Sequence, residues 1–451
     1  MRKKKHKPNR LILIAGLMAI YAATVHFFGV WLEYLEAHSL FLWSCFFWKE
    51  TDFFNYLYAF FVQFFISKYW GALLITLAFA AFFELCYALL KSRKSKTNRR
   101  FWICFAAMMV LALGTGVKTY NFDKFQLAEI ELEARAERWD RVLELSTDFL
   151  ERAQKQNRDR DSLYFEVVDY TKFALCITHQ LPNRFFDYVK FFDRGVLFPD
   201  GSSTKADNFL FYKPKTAYFY YAVGIQNMTV QQSFGAAVLY NYPIWAVETF
   251  LKAVKIRDTE SFGNVLSERL KSSLFHKNPT SSLCKSQLEF RRTLLPPEDV
   301  EIRWRLDRTM YKLFENPNNR YAFEYVMTVA LTYKEHEFVA KHIEAMANFD
   351  YEFLPKHFEE GILANLFFET DTPPTEKQLY SDTYGGFKLQ PESIERIKLF
   401  MEMMQTFQNT GMGLSRIERE FGNTYWFHFV FGDITPSQIL VENVQIYDKY
   451  N

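Results

Sequence analysis

Residues 101–117 have the sequence FWICFAAMMVLALGTGV, which contains no charged residue. Two arginines precede this stretch and Lys118 follows it, so positive charge bounds the apolar run on both sides. At the helical rise of 1.5 Å per residue the stretch covers roughly 26 Å, slightly less than a bilayer core of about 30 Å. It therefore predicts a membrane-spanning helix that separates a membrane part of the chain from a water-soluble part.

Two further apolar stretches precede this one and predict two more spans. Residues 11–31 follow a basic N-terminus and are too long for the core of a signal peptide, and no small-residue cleavage site follows them. Residues 69–90 form the other stretch, with Glu84 as its single charged residue. We therefore expect a membrane domain over residues 1–118 with spans near 11–31, 69–90 and 101–117.

Residues 40–66 are rich in aromatic side chains, but charged residues interrupt them. The apolar pieces that remain are too short to span a bilayer and are typical of interfacial or re-entrant helices. Such helices could form a groove that binds lipid or a partner. Its candidate residues are Asp52, Phe60, Gln63, Phe64 and Trp70.

The overall charge of +2 conceals a split between the two parts. Residues 1–118 hold 15 Lys and Arg against 5 Asp and Glu, a net charge of +10, and the remaining residues hold 39 against 47, a net charge of −8. The basic N-terminus and the basic loop 91–100 are expected in the cytoplasm by the positive-inside rule. This orientation predicts a multi-pass protein of the bacterial inner membrane with a periplasmic C-terminal domain. A net-acidic soluble part argues against nucleic acid as a partner.

The soluble part, residues 119–451, is expected to be a helical-repeat domain. Residues 125–154 place apolar residues at helical spacing around a small-residue turn, as in a tetratricopeptide unit. Strand-like alternation is nearly absent, so we predict an all-α fold with a tetratricopeptide-like α-solenoid. The aromatic run at the start of residues 422–440 is expected to form a strand or a cap. Further helices are expected near 163–180, 183–192, 214–229, 230–240, 244–256, 259–275, 281–293, 297–314, 319–332, 336–349, 355–368 and 391–409, with long loops at 193–213 and 370–390.

Several clusters of titratable residues resemble sites but fail a chemical test. His336 and His342 are six residues apart and so lie on different faces of a helix, whereas a helical zinc motif needs a spacing of four. The segment KHFEEG, residues 356–361, is expected on a solvated surface. Cys176 and Cys284 could pair only in an exported domain, and their spacing does not decide the matter. We therefore predict no catalytic, cofactor or metal site.

The segment at residues 40–77 resembles the membrane signature of a family of uncharacterised bacterial multi-pass inner-membrane proteins with a tetratricopeptide-like C-terminal domain. The matching residues are Tyr56, Leu57, Phe60, Phe61, Gln63, Phe64, Phe65, Trp70, Gly71, Ala72 and Leu73. The segments ERWDRVLEL, QLPNRFFDY and GNTYWFHF are similar to the soluble end of that family. The chain departs from it at residues 49–53, where the family usually has a Pro-Gly-Gly turn, and in having fewer spans. The resemblance implies an architecture and no chemistry.

Three functions fit these observations. The first is a membrane-anchored interaction or scaffold protein whose periplasmic helical domain binds an envelope or membrane protein. The second is a membrane enzyme, or an enzyme subunit, that acts on a lipid-linked envelope precursor through the groove near Asp52. The third is a sensor with its output at loop 91–100. The first is favoured because helical repeats present binding surfaces and have no intrinsic chemistry.

Overall fold

The computed structural model of the chain describes residues 8–37, 60–65, 67–91, 97–119, 121–158, 162–192, 214–239, 244–257, 283–296, 306–368 and 374–432. Over these residues the fold is all-α, as the sequence predicts, and extended backbone pairs at one isolated antiparallel bridge between Tyr384 and Phe387. The chain forms two compact units. The first unit is Met1–Arg138 with Ser233–Ser281, and the second unit is Trp139–Gln232 with Ser282–Asn451.

Three helices of the first unit are long and apolar enough to cross a membrane, which confirms the number of spans predicted. The candidate spans are Arg10–Leu35, Lys68–Leu90 and Arg99–Lys118. They lie within α1 (Pro8–Ala37), α2 (Lys68–Lys91) and α3 (Thr97–Thr119), and α4 (Phe122–Arg135) follows them. These helices are consistent with an integral membrane protein.

Helix α1 continues beyond Trp31, where the sequence analysis ended the first span. Glu33 lies within this continuation of the helix and has a structural role there. Its Oε1 accepts the backbone N–H of Lys68 at 3.1 Å, at the first residue of α2. A carboxylate at that position satisfies a donor without an intrahelical partner and interacts favourably with the positive end of the helix.

Glycine lies where the membrane helices approach one another most closely. A Cβ atom on Gly16 of α1 would lie 2.6 Å from Phe105 Cε2 of α3, and one on Gly71 of α2 would lie 3.0 Å from Leu32 Cδ1 of α1. Gly114 of α3, by contrast, has no neighbour within 4 Å that a Cβ would meet. Close packing of α1, α2 and α3 therefore depends on Gly16 and Gly71 rather than on Gly114.

The remaining helices lie close to their predicted positions, although three short ones were missed. The missed helices are α16 (Glu376–Tyr380), α18 (Leu414–Phe421) and α19 (Tyr425–Phe431). They were missed because their segments are short and rich in aromatic or polar residues. The helix expected at 259–275 and the long loop expected at 193–213 lie outside the described residues. The helices are α5 (Trp139–Lys155), α6 (Ser162–Ile177), α7 (Leu181–Tyr188), α8 (Pro214–Val223), α9 (Gln226–Leu239), α10 (Ile244–Ile256), α11 (Lys285–Thr293), α12 (Leu306–Phe314), α13 (Arg320–Thr332), α14 (His336–His342), α15 (Lys356–Phe368), α16 (Glu376–Tyr380), α17 (Pro391–Thr410), α18 (Leu414–Phe421) and α19 (Tyr425–Phe431).

Helices α4, α6, α8 and α13 end with the same turn. Each is followed by a residue of positive φ, and the next N–H donates to the carbonyl five residues earlier, which satisfies a C-terminal carbonyl group. The next helix begins three or four residues after each of them ends. At Gly224, where φ is +95°, a Cβ would lie 2.7 Å from the carbonyl oxygen of Leu294, so glycine is required. The donor and acceptor pairs are Arg138 and Glu133, Gln180 and Leu175, Ile225 and Tyr220, and Glu335 and Ala330.

The aromatic run after Gly422 is helical, so the expectation of a strand there is wrong. Thr424 is the N-cap of α19, and its side chain accepts the N–H of Phe427 at 3.3 Å. Tyr425, Trp426 and His428 are buried. The run lacks the polar face typical of a surface helix because most of its circumference is covered, which hides the helical period in the sequence.

Candidate functional site

The predicted groove residues are only partly brought together by the structure. Asp52 lies outside the described residues. The rings of Phe60 and Phe64 are 5.4 Å apart, whereas the side chain of Trp70 is 62% exposed. Gln63 is 2% exposed, and neither its Nε2 nor its Oε1 has a hydrogen-bond partner among the described residues. Gln63 is therefore the chemically distinctive residue of this group, because a buried amide without partners is costly.

The segment KHFEEG is buried, and the expectation of a solvated surface for it is wrong. His357 is 0% exposed, and Glu359 and Glu360 are each 3% exposed. Helix α15, which carries them, packs against α7, α14, α17 and α19, so it is central to the second unit. A Cβ on Gly361 would lie 2.8 Å from Leu331 Cδ2 of α13, so glycine permits a close helix crossing here. The glycine within KHFEEG was the sequence signal that could have indicated burial.

His357 and Glu360 join α15 to α7 and α19. The backbone N–H of Phe186 in α7 donates to His357 Nε2 at 3.4 Å, so the ring proton is on Nδ1, which donates to Glu360 Oε2 at 2.9 Å. The same Oε2 accepts the backbone N–H of Tyr425 at 2.8 Å. The indole N–H of Trp426 donates to the carbonyl oxygen of Glu360 at 2.8 Å. Both side chains are buried and hydrogen-bonded, so this network is structural.

Glu359 fixes the start of α17. Its two carboxylate oxygens accept the backbone N–H of Gln390 and the hydroxyl of Ser393, the latter at 2.7 Å. Burial raises the pKa of Glu359, although both of these hydrogen bonds favour its charged form and oppose that rise. The two adjacent acids of α15 thus hold two different helices.

Helix α19 is also held by α13, α14 and the turn between them. His336 Nδ1 lies 3.0 Å from the hydroxyl of Tyr425. His428 Nε2 donates to the carbonyl oxygen of Thr332 at 3.4 Å, and Lys334 Nζ donates to that of Gly432 at 2.7 Å. These contacts fix α19 at both of its ends.

Two titratable groups near this turn have shifted pKa values. Burial lowers the pKa of His428 to about 4, and the nearby charge of Lys334 acts in the same direction. Burial raises the pKa of Glu335 to about 7, and its buried Oε1 has no hydrogen-bond partner among the described residues. His428 is therefore neutral at neutral pH, whereas Glu335 titrates there.

The buried hydrogen bonds of His357, Glu359 and Glu360 form a polar frame that joins α15 to α7, α17 and α19. A surface cleft of about 610 Å³ lies beside this frame. Its lining comes from residues 186, 187, 189 and 190 near the end of α7, residues 418–420, 422 and 423 near the end of α18, and residues 427, 428, 431 and 432 at α19, together with Arg396 of α17. Phe186, Phe427 and Phe431 provide aromatic wall, and charged side chains of both signs alternate with them. A cleft of this size and mixed lining suits a short piece of polypeptide or a small organic ligand.

Two other buried networks of the second unit join helices away from the cleft. Glu324 of α13 accepts from the hydroxyl of Tyr351 at 2.9 Å and from Arg320 Nε at 2.7 Å, and it lies 2.9 Å from His179 Nδ1. Burial raises the pKa of Tyr351. Lys215 of α8 is 2% exposed and forms ion pairs with two carboxylates of α6, Glu166 and Asp169. In each network every charged group has a partner, which is typical of structural ion pairs.

The histidines and cysteines singled out in the sequence lie in separate surroundings. His342 Nδ1 donates to the carbonyl oxygen of Phe338 at 2.8 Å, within its own helix. Among the described residues, no group of three or more His, Cys, Asp or Glu is arranged to hold a metal ion. Cys176 is buried and Cys284 is exposed, and both thiols are free, so the disulfide left open by the sequence is not formed.

Residues 285–432 match the model of a family of unknown function, DUF6057. No curated protein and no solved structure matches the chain. The matched residues include the segment GNTYWFHF, whereas the membrane signature and the segments ERWDRVLEL and QLPNRFFDY lie outside them. The match runs from the first residue of α11 to the residue after α19, and it includes α15 with His357 and Glu360. The chain therefore carries a DUF6057 family domain over residues 285–432, preceded by three candidate membrane helices.

Proposed function

We propose that this protein is a membrane-anchored interaction protein, in which three spans hold a helical domain that binds an envelope partner through its cleft. The observation that carries the proposal is the cleft of about 610 Å³. Buried hydrogen bonds from His357, Glu359 and Glu360 hold the helices that form its walls. A binding surface gains affinity when its walls are already in place before the partner arrives. His357, Glu359 and Glu360 supply that rigidity without themselves being accessible to a ligand.

The helical part is proposed to be a tetratricopeptide-like α-solenoid. Its support is the turn shared by α4, α6, α8 and α13, which repeats one local geometry with only a short connection to the next helix. Solenoids stack such units and present extended surfaces to other polypeptides. This architecture fits an interaction protein better than an enzyme, because it supplies a surface and no chemistry of its own.

The soluble part is proposed to face the periplasm of a bacterial cell. The support is the charge asymmetry, with basic residues at 1–10 and 91–100 and three spans between the N-terminus and the soluble part. A membrane-impermeant maleimide tests the side, since Cys284 is an exposed thiol. If the native protein is labelled in intact spheroplasts and the Cys284→Ser variant is not, the result supports a periplasmic domain. Labelling of Cys284 only after lysis contradicts it.

Site-specific photo-crosslinking in cells tests the interaction itself. A photo-reactive amino acid is placed at Asn423, an exposed residue of the cleft wall, and in a matched variant at Glu402, an exposed residue of α17 outside the cleft. We expect one envelope protein to be crosslinked from Asn423 and not from Glu402. The same set of proteins from both positions, or lipid alone, contradicts the proposal.

A second candidate function is a membrane enzyme or enzyme subunit that acts on a lipid-linked envelope precursor. The observation that favours it is Gln63, whose buried amide has no hydrogen-bond partner among the described residues and could bind a polar lipid group. Under this hypothesis, Asp52→Asn and Gln63→Met reduce the lipid that copurifies with the protein, as measured by mass spectrometry. Unchanged lipid content in both variants, with folding intact, contradicts it.

A further inference from the structure

The turn between α17 and α18, residues 410–416, presents apolar side chains to solvent, and we call it the α17–α18 tip. Met412 is 76% exposed and Leu414 is 41% exposed. The two glycines beside Met412, Gly411 and Gly413, have φ values of +69° and +101°, which glycine adopts without strain. A Cβ on either glycine would meet no atom within 4 Å outside the adjoining residues. The tip therefore holds a long apolar side chain away from the other described parts of the chain.

The sequence around the α17–α18 tip contains a cation and no acid. Residues 403–417 hold no Asp or Glu, and Arg416 is their single charged residue. Arg416 is exposed, and its guanidinium forms no hydrogen bond or ion pair with the described residues. The first acid after the tip is Glu418, one helical turn beyond Leu414. An apolar side chain beside an available cation is suited to the headgroup region of a bilayer, where apolar surface meets anionic lipid.

The size of this apolar surface favours a bilayer rather than a protein as its occupant. A stable protein–protein interface covers about 800 Å² on each partner, whereas the α17–α18 tip offers two exposed apolar side chains. So small a contact is weak between free molecules, but a tether strengthens it by raising the effective concentration of the second partner. The chain carries such a tether, because its three candidate spans hold it at a bilayer.

We propose that the α17–α18 tip inserts Met412 and Leu414 into the headgroup region of an anionic phospholipid bilayer, with Arg416 bound to lipid phosphate. The contact gives the DUF6057 domain a second attachment to the membrane in which the spans lie. A domain attached at two places has fewer orientations, so its binding surfaces are presented to a partner in a restricted direction. The proposal does not depend on what the cleft binds.

Quenching by labelled lipids tests insertion of the tip in the full-length protein in nanodiscs. Cys284→Ser removes an exposed native thiol, and the fluorophore NBD is attached at Ser415→Cys, which leaves Met412 and Leu414 in place. The nanodiscs contain phosphatidylglycerol, with or without a lipid that carries a doxyl quencher near its headgroup. We expect the doxyl lipid to quench NBD at Ser415→Cys and not at Glu337→Cys, an exposed position of α14. The Cys284→Ser protein without an added cysteine gives the background from the other thiols.

Two further variants of the labelled protein test which groups insert. Met412→Ser is expected to remove most of the quenching, because it deletes the larger exposed apolar surface of the tip. Arg416→Gln is expected to lower the ratio of inserted to free tip about five-fold in anionic nanodiscs and to leave it unchanged in neutral ones. Both positions are exposed, so we expect the thermal unfolding midpoint to stay the same.

Three outcomes overturn the proposal: no quenching at Ser415→Cys, equal quenching at Ser415→Cys and Glu337→Cys, or full quenching in the Met412→Ser variant. Unchanged insertion of Arg416→Gln in anionic nanodiscs overturns the assignment of Arg416 to lipid phosphate. Because the nanodiscs contain no partner protein, these outcomes are independent of the crosslinking from Asn423 that tests the proposed function.

Discussion

Different chemical groups determine how the helices pack in the membrane part and in the second unit. In the first unit, Gly16 lets α1 approach Phe105 of α3 so closely that an added Cβ would require the ring to shift. In the second unit, Glu360 receives N–H groups from His357 of its own helix and from Tyr425, which joins α15 to α19, and His357 accepts the N–H of Phe186 in α7. Apolar faces gain little by leaving lipid, so shape decides the contact there. In water, a buried polar group is costly unless it is satisfied, so hydrogen bonds discriminate between correct and incorrect helix pairs.

The largest effect is expected from removing the carboxylate at the centre of the second unit. Glu360→Ala leaves the donors of His357 and Tyr425 buried without an acceptor, so we expect it to lower the free energy of unfolding by about 3–5 kcal/mol. Thermal unfolding of the detergent-solubilised protein, followed by tryptophan fluorescence, measures the change. The matched control is Glu337→Ala at an exposed position of α14, with an expected effect within about 0.5 kcal/mol. Similar midpoints for the two variants would refute the structural role of Glu360.

A smaller effect is expected from overfilling the contact between the membrane helices. In Gly16→Ala the added Cβ meets Phe105, so we expect a loss of about 1–3 kcal/mol. Gly114→Ala is the matched control, because no atom lies within 4 Å of the added group and alanine favours helix by about 1 kcal/mol. The two variants are compared by their rates of thermal aggregation in the same detergent. If Gly114→Ala is the less stable of the two, shape is not what holds these helices together.

The titration of Glu335 sharpens the comparison, because it tests a buried polar group that lacks a partner. Its pKa is raised from 4.5 to about 7, so its ionisation lowers stability as the pH rises from about 4.5 through about 7. We expect Glu335→Gln to be more stable than the native protein by about 1 kcal/mol above pH 7, after allowance for its partial exposure, and to lose this advantage near pH 4.5.

Subtracting the stability curve of the native protein from that of Glu335→Gln, each measured against pH, separates the contribution of Glu335 from that of His428. His428 acts in the opposite direction: its pKa is lowered from 6.5 to about 4, so its contribution is lost as the pH falls through that range. Because His428 is present in both proteins, its effect cancels in the difference. A difference that stays constant between pH 4.5 and pH 8 contradicts the assignment.

The smallest expected effect concerns the reactivity of two cysteine thiols and leaves stability unchanged. Cys284 is exposed, and hydrogen bonds from Ser286 and Gln287 lower the pKa of its thiol, whereas burial raises that of Cys176 well above its usual range. We expect a maleimide to label Cys284 rapidly in the folded protein and Cys176 only after denaturation, with no change in the unfolding midpoint. Peptide mapping by mass spectrometry locates the label, and Cys284→Ser is the control. Rapid labelling of Cys176 in the native protein would show that its surroundings open readily.

The sequence by itself determined the features that depend on local composition. Long apolar runs, each preceded by a basic residue, are sufficient to indicate three spans, because the bilayer imposes both a length and an apolar character. Helical periodicity and punctuation by Pro and Gly indicate most of the soluble helices, including α13, α15 and α17, with ends within a few residues. Helix α19 escaped this reasoning, because burial around most of its circumference removes the alternation of polar and apolar residues on which it depends.

Only the tertiary structure decided the surroundings of the charged residues. KHFEEG has the composition of an exposed helix start, yet its histidine and its two glutamates are buried, because α7, α17 and α19 supply donors from distant parts of the chain. Glu33 is likewise a charged residue just beyond an apolar run in the sequence, and in the structure its carboxylate accepts the backbone N–H of Lys68 at the start of α2. The cleft is formed by α18 and α19 together with α7, which lies far from them in the chain. Such contacts depend on which segments meet in space, and that information is absent from any short stretch of sequence.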